Sequence, residues 1–247
     1  MLWKRKMTYR KQAATGNVGA TRKRLMMVGV LALLPIAPAI AQNSELQEKV
    51  AAVKQIAAEN KQKLQQYQWT ETMEPTLKGD PKPVSTYACH YGPDGQVQKT
   101  LTSPPPEQPS GGRMKQRIIA KKKEEMKDYM GDVKGLLSLY VPPDPQKMQQ
   151  AYQAGKVSLN PAEGMVNLIF KDYAQPGDQM TLTFDKAAHK ITSLHISTYM
   201  GEAKDAVTLQ VQMGSLPDGT NYTQQTVLDA TAKQLVVTTT NSNYQKL

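Results

Sequence analysis

Residues 179–199, QMTLTFDKAAHKITSLHISTY, decide the fold class of this chain. Apolar and polar side chains alternate in residues 180–184 and again in residues 194–196, and turn residues 186–189 lie between the two runs. A period of two is typical of a half-buried β-strand, because successive side chains of a strand point to opposite faces of the sheet. The stretch therefore predicts an antiparallel hairpin with one apolar face and one solvated face.

The alternation continues on both sides of this hairpin. Pro176-Gly177 and Pro217-Asp218-Gly219 are among the turn signals that separate the runs. Because one face of such a sheet is apolar, another element must cover it. The pattern predicts six strands joined by five short turns, over residues 166–170, 180–184, 194–196, 207–213, 222–228 and 235–241.

The cover is predicted upstream, where apolar residues recur at helical spacing. A helix that begins at Ser44 places Leu46, Val50, Val53 and Leu64 on one face. These four residues form the predicted helix cover, because amphipathic helices are the only segments that offer a matching apolar stripe.

The region between this helix and the long series of strands predicts a mixed layout. Three short runs indicate a small antiparallel meander, and a Pro/Gly-rich loop over residues 103–112 precedes a helical insertion over residues 113–155. The predicted fold class is therefore α+β, with a long twisted, half-barrel-like antiparallel sheet and helices covering one face. The meander strands are predicted at residues 69–77, 84–91 and 96–102, and the helices of the insertion at residues 114–140 and 145–154.

The first 41 residues predict a secretory signal peptide. They carry eight basic residues and no acidic one, and their apolar stretch, residues 25–40, ends at Ala39-Ile40-Ala41. Sixteen apolar residues fall short of the roughly 20 that span a bilayer, so cleavage after Ala41 is favoured over a membrane anchor. We expect a periplasmic or secreted protein, residues 42–247, that forms a single domain. Its 23 basic and 21 acidic residues give a net charge of +2, which argues against nucleic-acid binding.

No residue pattern indicates catalysis, a metal site or a cofactor, so we expect a protein that is not an enzyme. Cys89 and His90 are adjacent in a predicted strand and point to opposite faces, which prevents them from pairing. His189 and His195 are six residues apart, a spacing that fits no common zinc motif. Cys89 is the single cysteine, so the domain contains no internal disulfide.

Two sets of residues are candidates for binding. The apolar face of the sheet is predicted to line a cavity for an acyl chain or apolar segment, with a plainly packed core as the alternative. The basic start of the insertion is a candidate contact for an anionic surface, and a solvated face compensated by neighbouring acids is the alternative. The cavity set is Met180, Leu182, Phe184, Leu194, Ile196, Val207, Leu209, Val211 and Met213, and the basic set is Arg113, Lys115, Arg117, Lys121 and Lys122.

The order of elements from Ser44 to Asn241 resembles the periplasmic lipoprotein-carrier superfamily that includes LolA, LolB and RseB. The stretches YQWTE at residues 67–71 and YGPDGQ at residues 91–96 are similar to the opening strands of such secreted proteins. The segments VPPDP at residues 141–145 and SLPDGTNY at residues 215–222 resemble a family of exported bacterial proteins with no assigned activity. The resemblance implies a curved half-barrel sheet capped by helices, and no lipoprotein-binding residue of the carriers maps onto this chain.

Two functions remain open at this point. The first is a non-catalytic periplasmic binding or carrier protein that holds a lipid, such as a lipoprotein acyl chain, or another apolar segment between sheet and helices. The second is a structural or regulatory cell-envelope protein that binds another protein and has a fully packed core. An apolar cavity would favour the first function and its absence the second. The oligomeric state and the identity of the ligand are open.

Overall fold

Antiparallel hairpins dominate the computed structural model, which describes residues 55, 58–104, 112–188 and 190–247. The first half contains a helical segment, α1, at residues 58–64. It is followed by β1 (Tyr67–Leu77), β2 (Asp80–Pro81), β3 (Ser85–Tyr91), β4 (Val97–Leu101), α2 (Arg113–Leu137) and α3 (Pro145–Gln153). The second half contains β5 (Val157–Ala162), β6 (Met165–Lys171), β7 (Gln179–Asp185), β8 (Lys190–Tyr199), β9 (Ala206–Ser215), β10 (Asn221–Ala230) and β11 (Leu235–Lys246), with a 3-10 turn at Thr231–Lys233.

All the strands belong to one long open sheet of eleven strands. Its order is β4-β3-β1-β11-β10-β9-β8-β7-β6-β5, and the short β2 pairs with β1 off this path. Strands β5 to β11 form a meander of consecutive hairpins, and the last strand, β11, pairs antiparallel with the first, β1. The α+β class with a long antiparallel, half-barrel-like sheet is therefore confirmed.

The six strands predicted from residue 166 onward are all present, but β5 was missed. Strand β5 lies at the edge of the sheet and contains Pro161, which removes a backbone donor and is tolerated at an edge. Its alternation rests on Val157 and Leu159 alone, with four exposed residues around them. A short edge strand of this kind gives too weak a period for sequence reasoning to recognise.

The two helices predicted within residues 113–155 are present, and the first of them is shorter than predicted. Helix α2 stops at Leu137, so the prediction that it extends to Tyr140 is wrong by three residues. Tyr140 lies beyond the helix end with its side chain fully buried in the core. Helix α3 begins at Pro145, where the side chain of Asp144 caps it by accepting a hydrogen bond from the backbone N–H of Gln146 at 2.8 Å.

One face of the sheet carries the core, and its composition changes along the sheet. Cross-strand partners in one row run Leu168, Leu182, Leu194 and Val211 across β6 to β9. The same row continues on β10 and β11 as Thr226 and Thr239, and reaches Met73 on β1. We call β5 to β8 the filled end of the sheet, and β10, β11, β1, β3 and β4 the open end.

The helices cover this face unequally. Tyr140, which follows α2, and Met148, which belongs to α3, pack on the filled end against residues such as Phe170 and Met180. The C-terminal half of α2 packs through Val133 on β9 to β11 and on the end of β1. Among the described residues, no helix is long and apolar enough to cross a membrane.

A buried carboxylate fixes the turn at the filled end. Asp178 accepts hydrogen bonds from the backbone N–H groups of Tyr173, Ala174 and Gln175, at 2.5, 2.9 and 2.8 Å. The hydroxyl of Tyr140 also donates to Asp178. Burial and this hydrogen bond raise the pKa of Tyr140, so its hydroxyl stays protonated as a donor. This network joins the segment after α2 to the turn between β6 and β7.

Candidate functional site

A cavity of about 420 Å³ lies at the open end of the sheet. Ligand sites of small molecules typically measure roughly 300–1,000 Å³. Strands β1, β3, β4, β10 and β11 supply its walls, and Leu64 of α1 lies at one side. The cavity is lined by Leu64, Trp69, Glu71, Met73, Tyr91, Val97, Lys99, Thr223, Thr226, Thr239, Asn241 and Tyr244.

The cavity shares its sheet face with the apolar core. Met73 lines the cavity and also packs against the core cluster under α2. Trp69 and Glu71 lie on the same face of β1 as Met73, because alternate residues of a strand point the same way. In register, Trp69 lies opposite Cys89, which in turn lies opposite Lys99. The cavity is therefore the uncovered continuation of the core-bearing face.

Aromatic rings form one wall of the cavity. The ring of Trp69 stacks on that of Tyr244 with centroids 5.5 Å apart and an interplanar angle of 9°, and Tyr91 packs on Trp69 at 5.5 Å. Tyr222 lies 4.5 Å from Tyr244, centroid to centroid. Such contacts add to the stability gained from burial and keep the rings in place. Burial raises the pKa of both Tyr91 and Tyr244, so this wall stays uncharged at neutral pH.

Hydrogen bonds fix the orientation of the aromatic wall. The indole N–H of Trp69 donates to Oδ1 of Asn241 at 3.1 Å, and the amide of Asn241 donates to the backbone carbonyl of Thr223 at 2.9 Å. The polar edge of the indole is thus satisfied within the protein. Trp69 is only 8% exposed, so this wall of the cavity is fixed before a ligand arrives.

One ion pair is set into the cavity. Nζ of Lys99 lies 2.6 Å from both carboxylate oxygens of Glu71. The side chain of Glu71 is 8% exposed and that of Lys99 is 42% exposed, so the carboxylate is buried and the ammonium group reaches solvent. Buried ion pairs are weak evidence for stability, because the cost of desolvation offsets their attraction. The pair supplies the cavity with a polar point beside its aromatic wall.

The rim of the cavity is tied to the turn between β9 and β10. The backbone N–H of Asn221 donates to Oδ1 of Asn60 at 2.6 Å, and the amide of Asn60 donates back to the carbonyl of Asn221. The hydroxyl of Tyr67 donates to Oδ2 of Asp218 at 2.7 Å. Hydrogen bonds from Thr220, and then from Tyr67, lower the pKa of Asp218 to about 2. These contacts hold α1, and therefore Leu64, beside the cavity.

The predicted cavity set lies elsewhere in the sheet. The nine residues belong to β7, β8 and β9, and none of them lines the aromatic cavity. Most are buried, and Met180, Leu182, Leu194 and Ile196 pack in the cluster that contains Tyr140. Their proposed role in holding a ligand stays a prediction. Of the predicted helix cover, Leu64 lies at the cavity, and Leu46, Val50 and Val53 lie outside the described residues.

The other sequence candidates do not meet at one place. Cys89 is buried. Burial raises the pKa of its thiol, and the negative charge of the nearby Glu71 raises this pKa further. His90 pairs with Gln68 in register, one row away from Cys89. His195 lies on β8 and His189 lies outside the described residues. In the part of the chain that the structure describes, no group of three or more metal-binding side chains comes together.

Apart from Leu64, which was predicted as part of the helix cover, sequence reasoning missed the residues that line the cavity. Trp69, Glu71 and Met73 alternate along β1, so their period of two is visible in the sequence. This period shows that the three side chains share one face of the strand, but it does not show which residues of other strands lie beside them. Tyr244 reaches Trp69 because β11 pairs with β1, a contact between the two ends of the described chain. The alternating Trp-x-Glu-x-Met pattern was the one local signal that could have indicated a mixed aromatic and charged face.

Two solved structures are similar in layout. A DUF1329 family protein from Desulfovibrio piger ATCC 29098 is 9% identical over 81% of this chain and 92% of that chain, with a TM-score of 0.43. A LolA superfamily protein from Nitrosomonas europaea is 8% identical over 74% of this chain and 87% of that chain, with a TM-score of 0.36. Neither a protein-family model nor a curated protein matches the chain.

Proposed function

We propose that this protein is a non-catalytic binding or carrier protein that holds the apolar part of a lipid in the cavity at the open end of its sheet. The observation that carries the proposal is the cavity itself, which continues the core-bearing face and is walled by Trp69, Tyr91 and Tyr244. Aromatic and aliphatic walls with a few fixed polar groups are typical of sites for small apolar ligands.

The titratable groups of the cavity favour binding over chemistry. Glu71 and Lys99 are engaged with each other, which leaves neither one as an unpaired acid or base. The thiol of Cys89 has a raised pKa, and a thiol rather than a thiolate is a poor nucleophile. The pair instead suits the polar end of an amphiphile, whose charged group can exchange contacts with Lys99.

The proposed compartment is the periplasm or the extracellular space. It rests on the basic and apolar character of residues 1–41, which are proposed to be removed after Ala41. A protein exported to the envelope encounters lipids and lipoprotein acyl chains, and it must shield them from water if it carries them. The uncovered aromatic wall provides such a shield.

The second candidate function, a structural or regulatory envelope protein that binds another protein, is favoured by the filled end. There Tyr140, Met148 and Phe170 close the core against the sheet. A protein with this role would leave the aromatic cavity without a lipid, whereas a carrier would bind one in solution.

Trp69 offers a direct test, because it is the only tryptophan in residues 42–247. We expect its fluorescence to shift when the processed protein is titrated with palmitate or a lysophospholipid, and native mass spectrometry to show the complex. Thr226→Arg, which places a long cationic side chain at the cavity wall, should weaken binding by at least about tenfold. The matched control is Thr181→Arg, because Thr181 lies between Met180 and Leu182 on the opposite face of β7 and should leave binding unchanged.

Two results would count against lipid binding. Equal binding by the Thr226→Arg and Thr181→Arg variants would place any bound lipid outside the cavity. A saturating lipid titration with neither a response of Trp69 nor a complex in the mass spectrum would favour the structural or regulatory function.

A further inference from the structure

The first turns of α2 stand apart from the core. Every residue in 113–123 is exposed except Ile119, and the contacts of α2 with the described core begin at Met126. Surface helices normally owe their stability to an apolar face packed against the protein. Within the described part of the chain, this stretch packs on no such face.

The charge of this stretch is strongly one-sided. Six of its eleven residues are basic and none is acidic. Without these six charges, the rest of residues 42–247 would carry a net charge of −4, compared with +2 for the whole. The basic residues are Arg113, Lys115, Arg117, Lys121, Lys122 and Lys123.

The position of these basic residues destabilises the start of the helix when nothing is bound to it. Arg113 and Lys115 lie in the first turn, where the helix dipole already presents partial positive charge. Gly112 at the N-cap provides no side-chain cap, and the first turn contains no acidic residue. An anionic surface in contact with this turn would relieve both defects.

Two large apolar side chains project from the same stretch. Met114 is 81% exposed and Ile118 is 54% exposed. They are four residues apart and therefore share one helix face. At about 100° per residue, Arg117 and Lys121 flank this face on one side, and Lys122 flanks it on the other. An apolar stripe between basic flanks is typical of helices that lie in a membrane interface, where long basic side chains extend to the lipid phosphates.

We propose that residues 113–123 of α2 dock this protein onto an anionic lipid bilayer. The apolar pair enters the headgroup region and the flanking basic residues contact lipid phosphates. A purely solvated basic face would not need exposed Met114 and Ile118 between its charges. The ion pair of Lys121 with Glu125, at 4.0 Å, marks the end of the stripe. The proposal does not depend on whether the aromatic cavity binds a lipid.

The test is cosedimentation of the processed protein with vesicles. Vesicles of equal parts phosphatidylglycerol and phosphatidylcholine should bind it, those of phosphatidylcholine alone should not, and binding should fall as salt is raised. Neutralising Arg117, Lys121 and Lys122 together to Gln should weaken binding about 100-fold, because each basic residue near an anionic surface contributes about fivefold. Ile118→Ser should weaken it severalfold and leave the salt dependence unchanged.

A matched triple variant separates local charge from net charge. Lys171, Lys186 and Lys204 are exposed residues of the other half of the chain, and changing all three to Gln lowers the net charge equally. This variant should retain binding, and equal losses in the two triple variants would overturn the proposal. Binding to heparin or poly-glutamate without binding to the anionic vesicles would also overturn it and assign the surface to an acidic macromolecule. Both triple variants should keep the fluorescence response of Trp69 to palmitate, so failure here is distinguishable from failure of the proposed lipid site.

Discussion

The two ends of the sheet share the same antiparallel backbone pattern, but side chains fill the space above the core-bearing face at one end and leave a cavity at the other. At the filled end, a row of Leu168, Leu182 and Leu194 meets the side chains of α3 and Tyr140. At the open end, the same row holds Thr226 and Thr239. Threonine has the volume to line a wall but not the apolar length to fill the space above it. The difference shows how a few positions in a cross-strand row decide whether a curved sheet closes over a core or leaves a cavity.

The ends also differ in how they are held rigid. Aliphatic packing and the buried Asp178 network stabilise the filled end. Ring stacking around Trp69 and the ion pair of Glu71 with Lys99 hold the walls of the cavity at the open end, whereas α2 packs on the neighbouring residues of β10 and β11, such as Leu228 and Val237. A cavity wall that is fixed by its own contacts does not collapse when the cavity is empty, which keeps the site available.

The largest effect is expected at the filled end. Leu182→Ala should lower the free energy of unfolding by about 2–5 kcal/mol, because the side chain is fully buried and its neighbours cannot close the gap. Thr226→Ala, in the same row at the open end, should cost less than about 1 kcal/mol. Urea unfolding of both variants measures the difference. Equal costs would mean that the open end is packed as tightly as the filled end.

This contrast also explains how far sequence reasoning reached. The period of two in Met180, Leu182 and Phe184 is a local property, so the strands of the long meander and the α+β class followed from it. The cavity depends on the pairing of β11 with β1, which brings Tyr244 onto Trp69. No local pattern encodes a partner so distant in sequence.

The two ends of the sheet also differ in how clearly their residues indicate a binding site in the sequence. Long apolar side chains on β7 to β9 indicated a site, although side chains that fit this description also form ordinary cores. The open end combines aromatic, threonine and charged residues, which resembles a solvated surface when read along the chain. Only the register reveals that Trp69, Cys89 and Lys99 form one row beside an unfilled space.

An intermediate effect is expected from the ion pair at the open end. Lys99→Met removes the cation and leaves the buried carboxylate of Glu71 unpaired, which should cost about 1–3 kcal/mol of unfolding free energy. Changing Glu71 to Gln in the same chain removes the unpaired charge and should restore much of that loss. Urea unfolding of the single and double variants forms a double-mutant cycle.

The control for this cycle is Lys82→Met, because Lys82 lies 3.9 Å from an exposed carboxylate of Asp80. Exposed pairs of this kind contribute little, so its loss should be below about 1 kcal/mol. If Lys99→Met lowers the free energy of unfolding no more than Lys82→Met does, water reaches the carboxylate of Glu71 and the ion pair does not stabilise the open end.

The smallest effect is expected at the rim, where Asp218 joins the turn after β9 to Tyr67 at the start of β1. The folded pKa of Asp218 is lowered to about 2 by hydrogen bonds from Thr220 and Tyr67, compared with about 3.9 for an unfolded Asp. A lowered carboxyl pKa stabilises the fold above the unfolded pKa, and this contribution is lost as the pH falls from about 4 toward 2. Asp218 is exposed, so solvent screening keeps the effect small. The urea midpoint of Asp218→Asn should therefore fall less steeply between pH 5 and pH 2 than that of the wild type, whereas Glu163→Gln, in the turn between β5 and β6, should follow the wild type. Parallel curves for all three proteins would show that the rim of the open end is not held by this carboxylate.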